Sequence, residues 1–441
     1  MRGASSSVQL RFASPVLFDS PKGDLSLRIL QVHNAYQQSG GEDVVVASED
    51  SLLCSAGHVV MHYVRHNSEI ATYGLWQRGT LASRTIWAWD SHREIKALLR
   101  AERPDVAHFH NTLPVISPSA YHACFEAGVP VVQTLHNYRL LCPAAVLFRD
   151  GRVCEDCIKH SLWRAVRHGC YRSSRAETSA VALMLTVHRW LGTWMRLVDC
   201  YITLTEFSRM KFIEAGLPAE KIAVKPNFVR ADPGVRQGTG GCALFVGRLS
   251  EEKGLQTLLT AWELLNGRIA LEIVGDGPLR PMLQNEARCR MAGGIHFRGW
   301  MPRDRMLAAI KRARFLVFPS ECYEGFPVAI AEAFACGVPV IASRLGAMEE
   351  IVGDGHTGLH FTPGDADDLA AKVEWAWAHP GEMAAMGRAA RAEYEANYTA
   401  ERNYKMLMEI YQRVLGARGS GEVARSNRPT VDGIRRFGAG D

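Results

Sequence analysis

The sequence predicts an α/β protein in which each half of the 441-residue chain folds around a doubly wound parallel sheet. Short apolar runs alternate with helical stretches along both halves, which is the strand–helix order of parallel sheets. Runs such as FLVF and VPVI are apolar at consecutive positions, as is typical of strands covered on both faces. A Gly-rich stretch at residues 231–241 separates the two series and is predicted to be an interdomain linker.

The first series spans residues 27–230. Its predicted strands, in chain order, are LRILQVH, HVVMHYV, DVAHFHN, VVQTL and CYITLT. Gly40 and Gly41 follow the first strand and open a helix. Paired glycines let a backbone approach a ligand closely, and a helix start offers N–H donors to a phosphate or hydroxyl. A tight strand-to-helix connection is the alternative explanation of the same two residues.

His136 lies just beyond the carboxyl end of VVQTL, where open α/β sheets bind ligands. It is therefore the leading candidate for a catalytic histidine among the sixteen in the chain. His110, at the end of another strand, is the second candidate. A structural hydrogen bond is the alternative role for either side chain.

A cysteine insert, residues 138–175, interrupts the first series. A CxxC pair within it is flanked by single cysteines, and the four residues are Cys142, Cys154, Cys157 and Cys170. Four thiolates could hold a tetrahedral zinc ion and stabilise a region with little core of its own. Such a zinc would be structural, because four protein ligands leave no position open for chemistry. A redox CxxC or unpaired buried thiols are the alternatives.

A basic segment, residues 159–196, carries seven Lys or Arg residues against the single acidic residue Glu177. This excess of six positive charges is larger than the net charge of +5 of the whole chain. With its Trp and Leu residues the segment is compatible with docking on an anionic membrane surface. A solvated face over a packed helix is the alternative. The mild overall charge does not indicate a nucleic-acid partner.

The second series spans residues 242–397 and opens with the strand CALFVG. Arg248 and Lys253 follow that strand. Two cations at the carboxyl end of a strand suit a diphosphate, because Arg can donate to two oxygens at once. Surface pairing with Glu251 and Glu252 is the alternative.

Gly275 lies in the motif VGDGP, which begins like a dinucleotide-binding fingerprint. Arg280 stands where the third glycine of that fingerprint belongs, so a hydride-transferring Rossmann enzyme is excluded.

Residues 315–341 read as a buried strand, a loop, a helix and a second buried strand. Glu324 and Glu332 stand eight positions apart, and Gly325 and Phe326 lie at the turn into the helix. Helix starts favour anions, so one carboxylate before the helix and one inside it could bind hydroxyls on either side of a phosphate. A solvated loop Glu and an ordinary helix Glu are the alternative.

The chain ends are predicted to be disordered over residues 1–26 and 417–441, and residues 398–416 form a last amphipathic helix. We find no secretory signal and no uncharged apolar run of 18 residues or more, and eleven is an odd number of cysteines. A reducing cytoplasm is therefore the expected location, with the inner membrane face as a peripheral site. The 47% hydrophobic and 22% charged contents are those of an ordinary globular protein.

Several motifs together resemble those of the retaining glycosyltransferases of family 4, which have the GT-B fold. These are VGRLSEEKG, VGDGP, FPSECYEGFPVAIAEAFACGVPVIAS and GLHFTPGD, in that order, with QQSGGED and TLHN in the first half. The resemblance covers roughly residues 27–415 and is specific, because independent motifs recur in sequence. It implies two Rossmann-like domains facing a cleft and a C-terminal helix that crosses back to the N-terminal domain.

The resemblance also implies roles for the donor-side residues. Arg248 and Lys253 would hold the donor diphosphate and stabilise the leaving group electrostatically, with no catalytic cofactor. Glu324 would bind hydroxyls of the donor sugar, and Glu332 the ribose. Backbone N–H groups of Gly325 and Phe326 would lie nearby, with Gly275 among the donor-binding positions.

In the N-terminal domain, the resemblance implies that Gly40 and Gly41 let their loop reach the phosphate and the acceptor. His136 would lie against the transferred sugar. The expected activity is sugar transfer from a nucleotide donor to a saccharide or lipid-linked acceptor in polysaccharide or glycoconjugate biosynthesis. The cysteine insert is not part of the family's general pattern.

Two other functions are compatible with the same sequence. One is a sugar-nucleotide epimerase or phosphorylase of the same fold, although nothing marks the Schiff-base lysine that a phosphorylase needs. The other is a non-catalytic binding protein that uses the cysteine insert and the basic segment.

Overall fold

The chain forms two parallel-sheet domains in a computed structural model that describes residues 8–11, 26–36, 40–72, 80–290 and 294–419. The expectation of two doubly wound α/β domains is confirmed. Residues 420–441 of the predicted tail 417–441, and most of residues 1–26, lie outside the described residues. No helix in the described ranges combines the length and the apolar content needed to cross a membrane.

The first domain is built on a seven-stranded sheet in the order β1-β3-β2-β4-β5-β8-β9. Its strands, with a separate two-stranded hairpin β6–β7 in the cysteine insert, are β1 (Val8–Arg11), β2 (Arg28–Ala35), β3 (Val59–His66), β4 (Val106–Asn111), β5 (Val131–Thr134), β6 (Phe148–Arg149), β7 (Arg152–Val153), β8 (Cys200–Thr203) and β9 (Ile222–Val224). All neighbours in the main sheet are parallel except β1, which pairs antiparallel with β3. Residues 8–11 therefore correct the expectation that the whole segment 1–26 is disordered, because they extend the edge of the sheet.

Ten helices of the described chain surround this sheet or form the insert. They are α1 (Gly41–Ser55), α2 (Glu69–Thr72), α3 (Leu81–Ile86), α4 (Trp89–Glu102), α5 (Ser119–Ala127), α6 (Asp156–Lys159), α7 (Trp163–His168), α8 (Arg175–Trp190), α9 (Thr193–Arg196) and α10 (Glu206–Glu214). The basic segment thus comprises the last residue of α6 and the three helices α7, α8 and α9.

The second domain has a six-stranded, fully parallel sheet in the order β12-β11-β10-β13-β14-β15. Its strands are β10 (Cys242–Val246), β11 (Leu271–Val274), β12 (Ile295–Gly299), β13 (Ala313–Phe318), β14 (Val340–Ser343) and β15 (Gly358–Phe361). Its helices are α11 (Leu255–Leu264), α12 (Arg280–Arg290), α13 (Arg303–Arg312), α14 (Val328–Ala335), α15 (Ala347–Ile351), α16 (Ala366–Ala378) and α17 (Pro380–Asn397). The apolar pattern of the sequence does not predict α17.

Both sheets reverse their winding direction at one place, between β2 and β4 in the first domain and between β10 and β13 in the second. The apolar runs that predicted these strands are buried on both faces; Leu244 and Leu316, for example, are neighbours in register and fully covered. In open parallel sheets, ligands bind beyond the carboxyl ends of the strands at such a reversal. The fold therefore points to two facing ligand-binding edges.

The last helix, α18 (Ala400–Gly419), returns to the first domain, as the resemblance implies. Leu407, Ile410 and Tyr411 pack in one core with strand residues of the first sheet such as Ile29 and Val132. The helix thus runs three residues beyond the predicted boundary at 416. Because its apolar face is buried against the other domain, α18 joins the two halves.

The stretch 231–241 lies along the second domain. The backbone N–H of Arg236 donates to Cys336 O at 2.9 Å, and its guanidinium donates to the carbonyl of Ala313 at 2.6 Å. This connection between the domains is therefore held by hydrogen bonds over part of its length.

Candidate active site between the two domains

The carboxyl edges of the two sheets meet at the loop that contains Glu324. A Cβ added to Gly325 would lie 2.4 Å from the carbonyl oxygen of His136 in the other domain. The hydroxyl of Tyr138 donates to the carbonyl of Glu324 at 3.3 Å. The structure thus brings His136 and the Glu324–Gly325 segment together, although 188 positions separate Glu324 from His136 in the sequence.

Lys253 and Glu324 form an ion pair at the reversal point of the second sheet. Lys253 ends a short 3-10 turn after β10, and Glu324 lies in the loop after β13. Lys253 Nζ is 2.5 Å from Glu324 Oε1, which also accepts a hydrogen bond from Ser320 Oγ at 2.6 Å. Burial disfavours the ammonium, but the Glu324 carboxylate outweighs it and raises the pKa of Lys253. Glu324 is therefore not a solvated loop residue.

Arg248, five positions before Lys253 in the chain, is exposed. Within the described ranges, its guanidinium takes part in no ion pair with Glu251 or Glu252. Glu252 instead accepts a hydrogen bond from Ser250 at 2.6 Å. Surface pairing, the alternative explanation for the two cations, thus applies to neither, because Lys253 binds Glu324.

Glu332 lies inside α14 and is 6% exposed. Its Oε1 atom accepts from Arg303 Nε at 3.0 Å, and burial raises the pKa of its carboxyl group. Arg303, the first residue of α13, was not identified from the sequence. No motif marks it, since it reaches Glu332 only because α13 and α14 pack side by side.

The glycines at the site differ in what requires them. Gly275 has φ +137°, and a Cβ there would lie 1.9 Å from the Gly247 carbonyl, so packing of two adjacent loops demands glycine. Gly40 has φ −109°, and a Cβ on Gly40 or Gly41 would meet nothing within 4 Å. Neither backbone conformation nor packing against the described residues requires those two glycines, so these residues leave space beside the start of α1.

Phe326 is 8% exposed and packs its ring against Tyr398, with the ring centres 5.5 Å apart. Its side chain therefore belongs to the core of the second domain. Only its backbone remains to face a ligand at the start of α14.

His136 is hydrogen-bonded to the second histidine candidate. His136 Nε2 lies 3.0 Å from His110 Nδ1, and the two rings are stacked. Burial lowers the pKa of His136 to about 3 and that of His110 well below its usual value, so both imidazoles are neutral. Both also line a pocket at the carboxyl ends of β4 and β5, together with polar residues such as Asn111 and Arg139 and the apolar Trp194.

Behind these histidines lies a buried polar group that was not identified from the sequence. Glu49 of α1 approaches His108 Nδ1 at 3.0 Å and His110 Nε2 at 3.5 Å. Its other oxygen is 3.1 Å from Lys225 Nζ. Glu49, His108 and His110 are the one group of three metal-ligating side chains in the described ranges whose ligand atoms lie within 4.8 Å of one another.

The cysteine insert gathers its thiols around short turns. Cys142 and Cys157 are buried, and a hydrogen bond with Cys157 lowers the pKa of Cys142. Cys154 and Cys170 are partly exposed, and Arg149 contacts the thiol of Cys170. All four are free cysteines, and their sulfurs do not form a group of three within 4.8 Å of one another in the described chain.

All seven cations of the basic segment are exposed. Lys159 pairs with Glu155 at 2.8 Å and Arg172 with Glu177 at 3.5 Å. Trp190, at the end of α8, is 84% exposed. Trp89 of α4 is 73% exposed, and its ring lies 5.5 Å from that of Trp87, which stacks on His188 of α8. Solvated charge and exposed aromatic surface therefore occur together in this part of the first domain.

Two family models cover most of the chain. The model described as Glycosyltransferase Family 4 matches residues 35–232, and the model described as Glycosyl transferases group 1 matches residues 233–393. A glycogen synthase of Mycobacterium tuberculosis is 30% identical over 322 residues, which are 71% of this chain and 69% of that protein. A 2-deoxystreptamine glucosyltransferase of Streptomyces kanamyceticus is 29% identical over 66% of this chain and 72% of its own length.

Solved structures with the same fold include a sucrose-phosphate synthase from Thermosynechococcus elongatus, with a TM-score of 0.66 and 17% identity over 89% of this chain and all of that one. Anabaena HepE in complex with UDP and glucose has a TM-score of 0.59 and 19% identity, with the same coverage. The expected GT-B fold is confirmed.

Proposed function

The chain is a glycosyltransferase of family 4, and we propose that it moves a sugar, with retention of anomeric configuration, from a nucleoside diphosphate donor to a hydroxyl of a saccharide or lipid-linked acceptor. The observation that carries this proposal is the partly buried Lys253–Glu324 pair at the domain interface, where Gly325 lies against the backbone carbonyl of His136. The pair offers a cation for phosphate and a carboxylate for sugar hydroxyls, and the neighbouring His136 has a neutral imidazole.

The donor diphosphate would bind Arg248 and Lys253. Arg248 is free to donate to two phosphate oxygens, and Lys253 stands at the end of β10 as a point charge. As the bond to the sugar breaks, negative charge grows on the diphosphate, and the two bound cations would stabilise that charge. Side chains alone would then stabilise the leaving group, with no cofactor.

The sugar and the ribose would bind on either side of those cations. Glu324, already positioned by Ser320 and Lys253, would accept hydrogen bonds from donor-sugar hydroxyls. Glu332, held by Arg303, would accept from the ribose hydroxyls. A carboxylate oriented before the ligand arrives loses less entropy on binding, which supports both assignments.

The start of α1 would close the site from the first domain. Space beside Gly40 and Gly41 lets a phosphate or acceptor oxygen approach backbone N–H groups that side chains would cover. The acceptor would lie in the pocket next to His110 and His136 and attack the face that the diphosphate leaves. A diphosphate oxygen would take the proton from the attacking hydroxyl, so no protein base is assigned.

Nucleotide release from a panel of nucleotide-sugars tests this function. We expect Lys253→Ala and Glu324→Ala each to lower kcat/KM by about 100-fold or more, as loss of an electrostatic group at a developing charge does. Arg268→Ala, which removes an exposed ion pair with Glu374, is the matched control. Wild-type rates in both site variants would show that the site is assigned wrongly.

We also propose that the cysteine insert binds a structural zinc ion. The region contains several left-handed residues, such as Ala145 and Asp150, and its regular structure is limited to short elements: a hairpin with two residues in each strand and the helices α6 and α7. Cys142, Cys154, Cys157 and Cys170 would hold the ion as thiolates, and the bound ion would tie these short elements together. About one equivalent of zinc that persists through chelation is expected in purified protein, and it should be lost in Cys157→Ala but kept in Cys289→Ala. Clearly less than one equivalent in the wild type would contradict the site.

Finally, we propose that the basic segment contacts an anionic membrane surface. Exposed cations attract anionic headgroups, and exposed Trp190 and Trp89 suit the interfacial region. Cosedimentation should be stronger with vesicles that contain phosphatidylglycerol than with phosphatidylcholine alone. Trp190→Ala should weaken binding to the anionic vesicles. Trp300 is 73% exposed in the other domain, and Trp300→Ala should leave this binding unchanged. Equal sedimentation with both vesicles would contradict this surface.

A further inference from the structure

The buried group behind the active-site histidines contains one negative and one positive charge. Glu49 is 1% exposed, and its Oε2 atom is 3.1 Å from Lys225 Nζ. Lys225 is itself 1% exposed and is also 3.1 Å from Asn403 Oδ1. Because an isolated buried charge is very unfavourable, the two groups neutralise each other.

This charge balance argues against a metal ion among Glu49, His108 and His110. A divalent cation beside Lys225 would leave two uncompensated positive charges in a fully buried place. His108 also has protein partners on both nitrogens, with Tyr411 at 2.7 Å and Thr134 at 2.8 Å. The group is therefore better described as a hydrogen-bond network.

The carboxylate determines which nitrogens of the network carry protons. An ionised carboxylate only accepts hydrogen bonds, so a nitrogen that faces it must be an N–H. His110 Nε2 lies 3.5 Å from Glu49 Oε1 and has no hydrogen-bond partner elsewhere within the described residues. The same carboxylate oxygen is 3.0 Å from His108 Nδ1, and because it carries two lone pairs it can face an N–H group of each ring. A neutral imidazole has one N–H, so His110 Nδ1 is then an acceptor.

The same logic carries to the next ring. His136 Nε2 is 3.0 Å from His110 Nδ1, and of two ring nitrogens at that distance one must donate. Since His110 Nδ1 accepts, His136 Nε2 is the N–H. His136 Nδ1 is then unprotonated, and it has no hydrogen-bond partner in the described ranges.

We propose that Glu49 and His110 are positioning residues that hold His136 in its Nε2–H tautomer, with Nδ1 as an acceptor for a carbohydrate hydroxyl. The identity of that hydroxyl rests on the function proposed above; the tautomer does not. In the opposite tautomer, Nδ1–H would donate and could not accept from a hydroxyl, and two lone pairs would face each other between the rings.

Long-range ¹H–¹⁵N spectra of ¹⁵N-histidine-labelled protein test the tautomer directly, because protonated and unprotonated ring nitrogens resonate far apart. His136→Asn and His110→Gln assign the two signals. We expect Nε2 protonated and Nδ1 unprotonated in both rings of the wild type. A protonated Nδ1 on His136 would overturn the proposal, whatever the enzyme transfers.

Variants separate positioning from simple structural support. His110→Gln keeps an amide N–H for Glu49 and a carbonyl for His136, whereas His110→Leu keeps neither. We expect His110→Leu to give mixed tautomers of His136 and about a tenfold loss of kcat/KM, and His110→Gln to restore both to within about threefold. An unchanged His136 signal in His110→Leu would overturn the role of His110.

The charge-balanced double variant Glu49→Gln/Lys225→Met tests whether the Glu49 carboxylate sets the tautomer of His136. It should fold, since no unpaired charge remains, and should release His136 from a single tautomer. If His136 stays fully Nε2–H in this variant, Glu49 is not the determinant. If no nucleotide-sugar is turned over by the wild type, the function proposed above fails while the tautomer measurements still decide this inference.

Discussion

Gly325→Ala probes the contact between the two domains with a single methyl group. The added Cβ would lie 2.4 Å from the His136 carbonyl oxygen, about 1 Å short of the 3.4 Å at which ordinary contact begins. Backbone forms this obstacle on the other domain, so no side chain can rotate away. The domains must separate by a comparable distance or the site must distort.

Overpacking of this kind costs about 1–3 kcal/mol, which is about 5- to 150-fold in an equilibrium constant. Each domain has a core of its own, so the cost falls on closure and not on folding. We expect the donor KM to rise within that range while the Tm stays within about 2 °C of the wild type.

Two measurements test this prediction. Steady-state nucleotide release gives the donor KM, and small-angle scattering with and without donor nucleotide reports domain closure. Gly381→Ala is the control, because a Cβ there meets nothing within 4 Å. The variant should lose the ligand-induced compaction that the wild type and the control show. If Gly325→Ala keeps a wild-type KM and compacts normally, the His136–Gly325 contact does not form during the reaction.

Three further predictions concern single residues. Gly41→Ala should leave the Tm unchanged or raise it, because alanine replaces glycine in the first turn of a helix without a clash. The same variant should raise the donor KM at least about tenfold, and an unchanged KM would contradict ligand approach at this glycine. Lys225→Met should destabilise the first domain by about 3–5 kcal/mol, because Glu49 remains buried without its partner. Urea unfolding should show that the double variant Glu49→Gln/Lys225→Met recovers part of this loss of stability. Burial opposes ionisation of Glu155, but hydrogen bonds from Lys159 and Lys211 outweigh burial and lower the pKa of Glu155 to about 2. The ionised carboxylate therefore stabilises the fold above its unfolded-state pKa of about 4.3, and this stabilisation is lost as the pH falls towards 2. Glu155→Gln should therefore lower the Tm at pH 7 and converge with the wild type in acid, and a pH-independent difference would contradict this.

Local patterns in the sequence predicted the sheets because a strand covered on both faces must be apolar at every position. The runs around Leu244 and Leu316 are examples, and both strands form as predicted. The same patterns placed Glu324 and His136 at strand ends, where parallel sheets bind ligands. These inferences need only the few residues on each side of a motif.

Tertiary structure alone decided which of those residues meet and what holds them. Arg303 reaches Glu332 because α13 and α14 pack together, and the sequence pattern of neither helix predicts this contact. Glu49 lies on α1, and no sequence motif distinguishes it from a solvated helix carboxylate. It is buried only because α18 and the chain around Lys225 cover it from distant parts of the sequence.

The sequence by itself therefore determined the two α/β domains, the family and the residues at the strand ends. The partners of those residues, the neutral state of His136 and the closeness of the two domains depend on contacts across the fold. Side-chain charge and pKa respond to everything within a few ångströms, and most of those neighbours are far away along the chain.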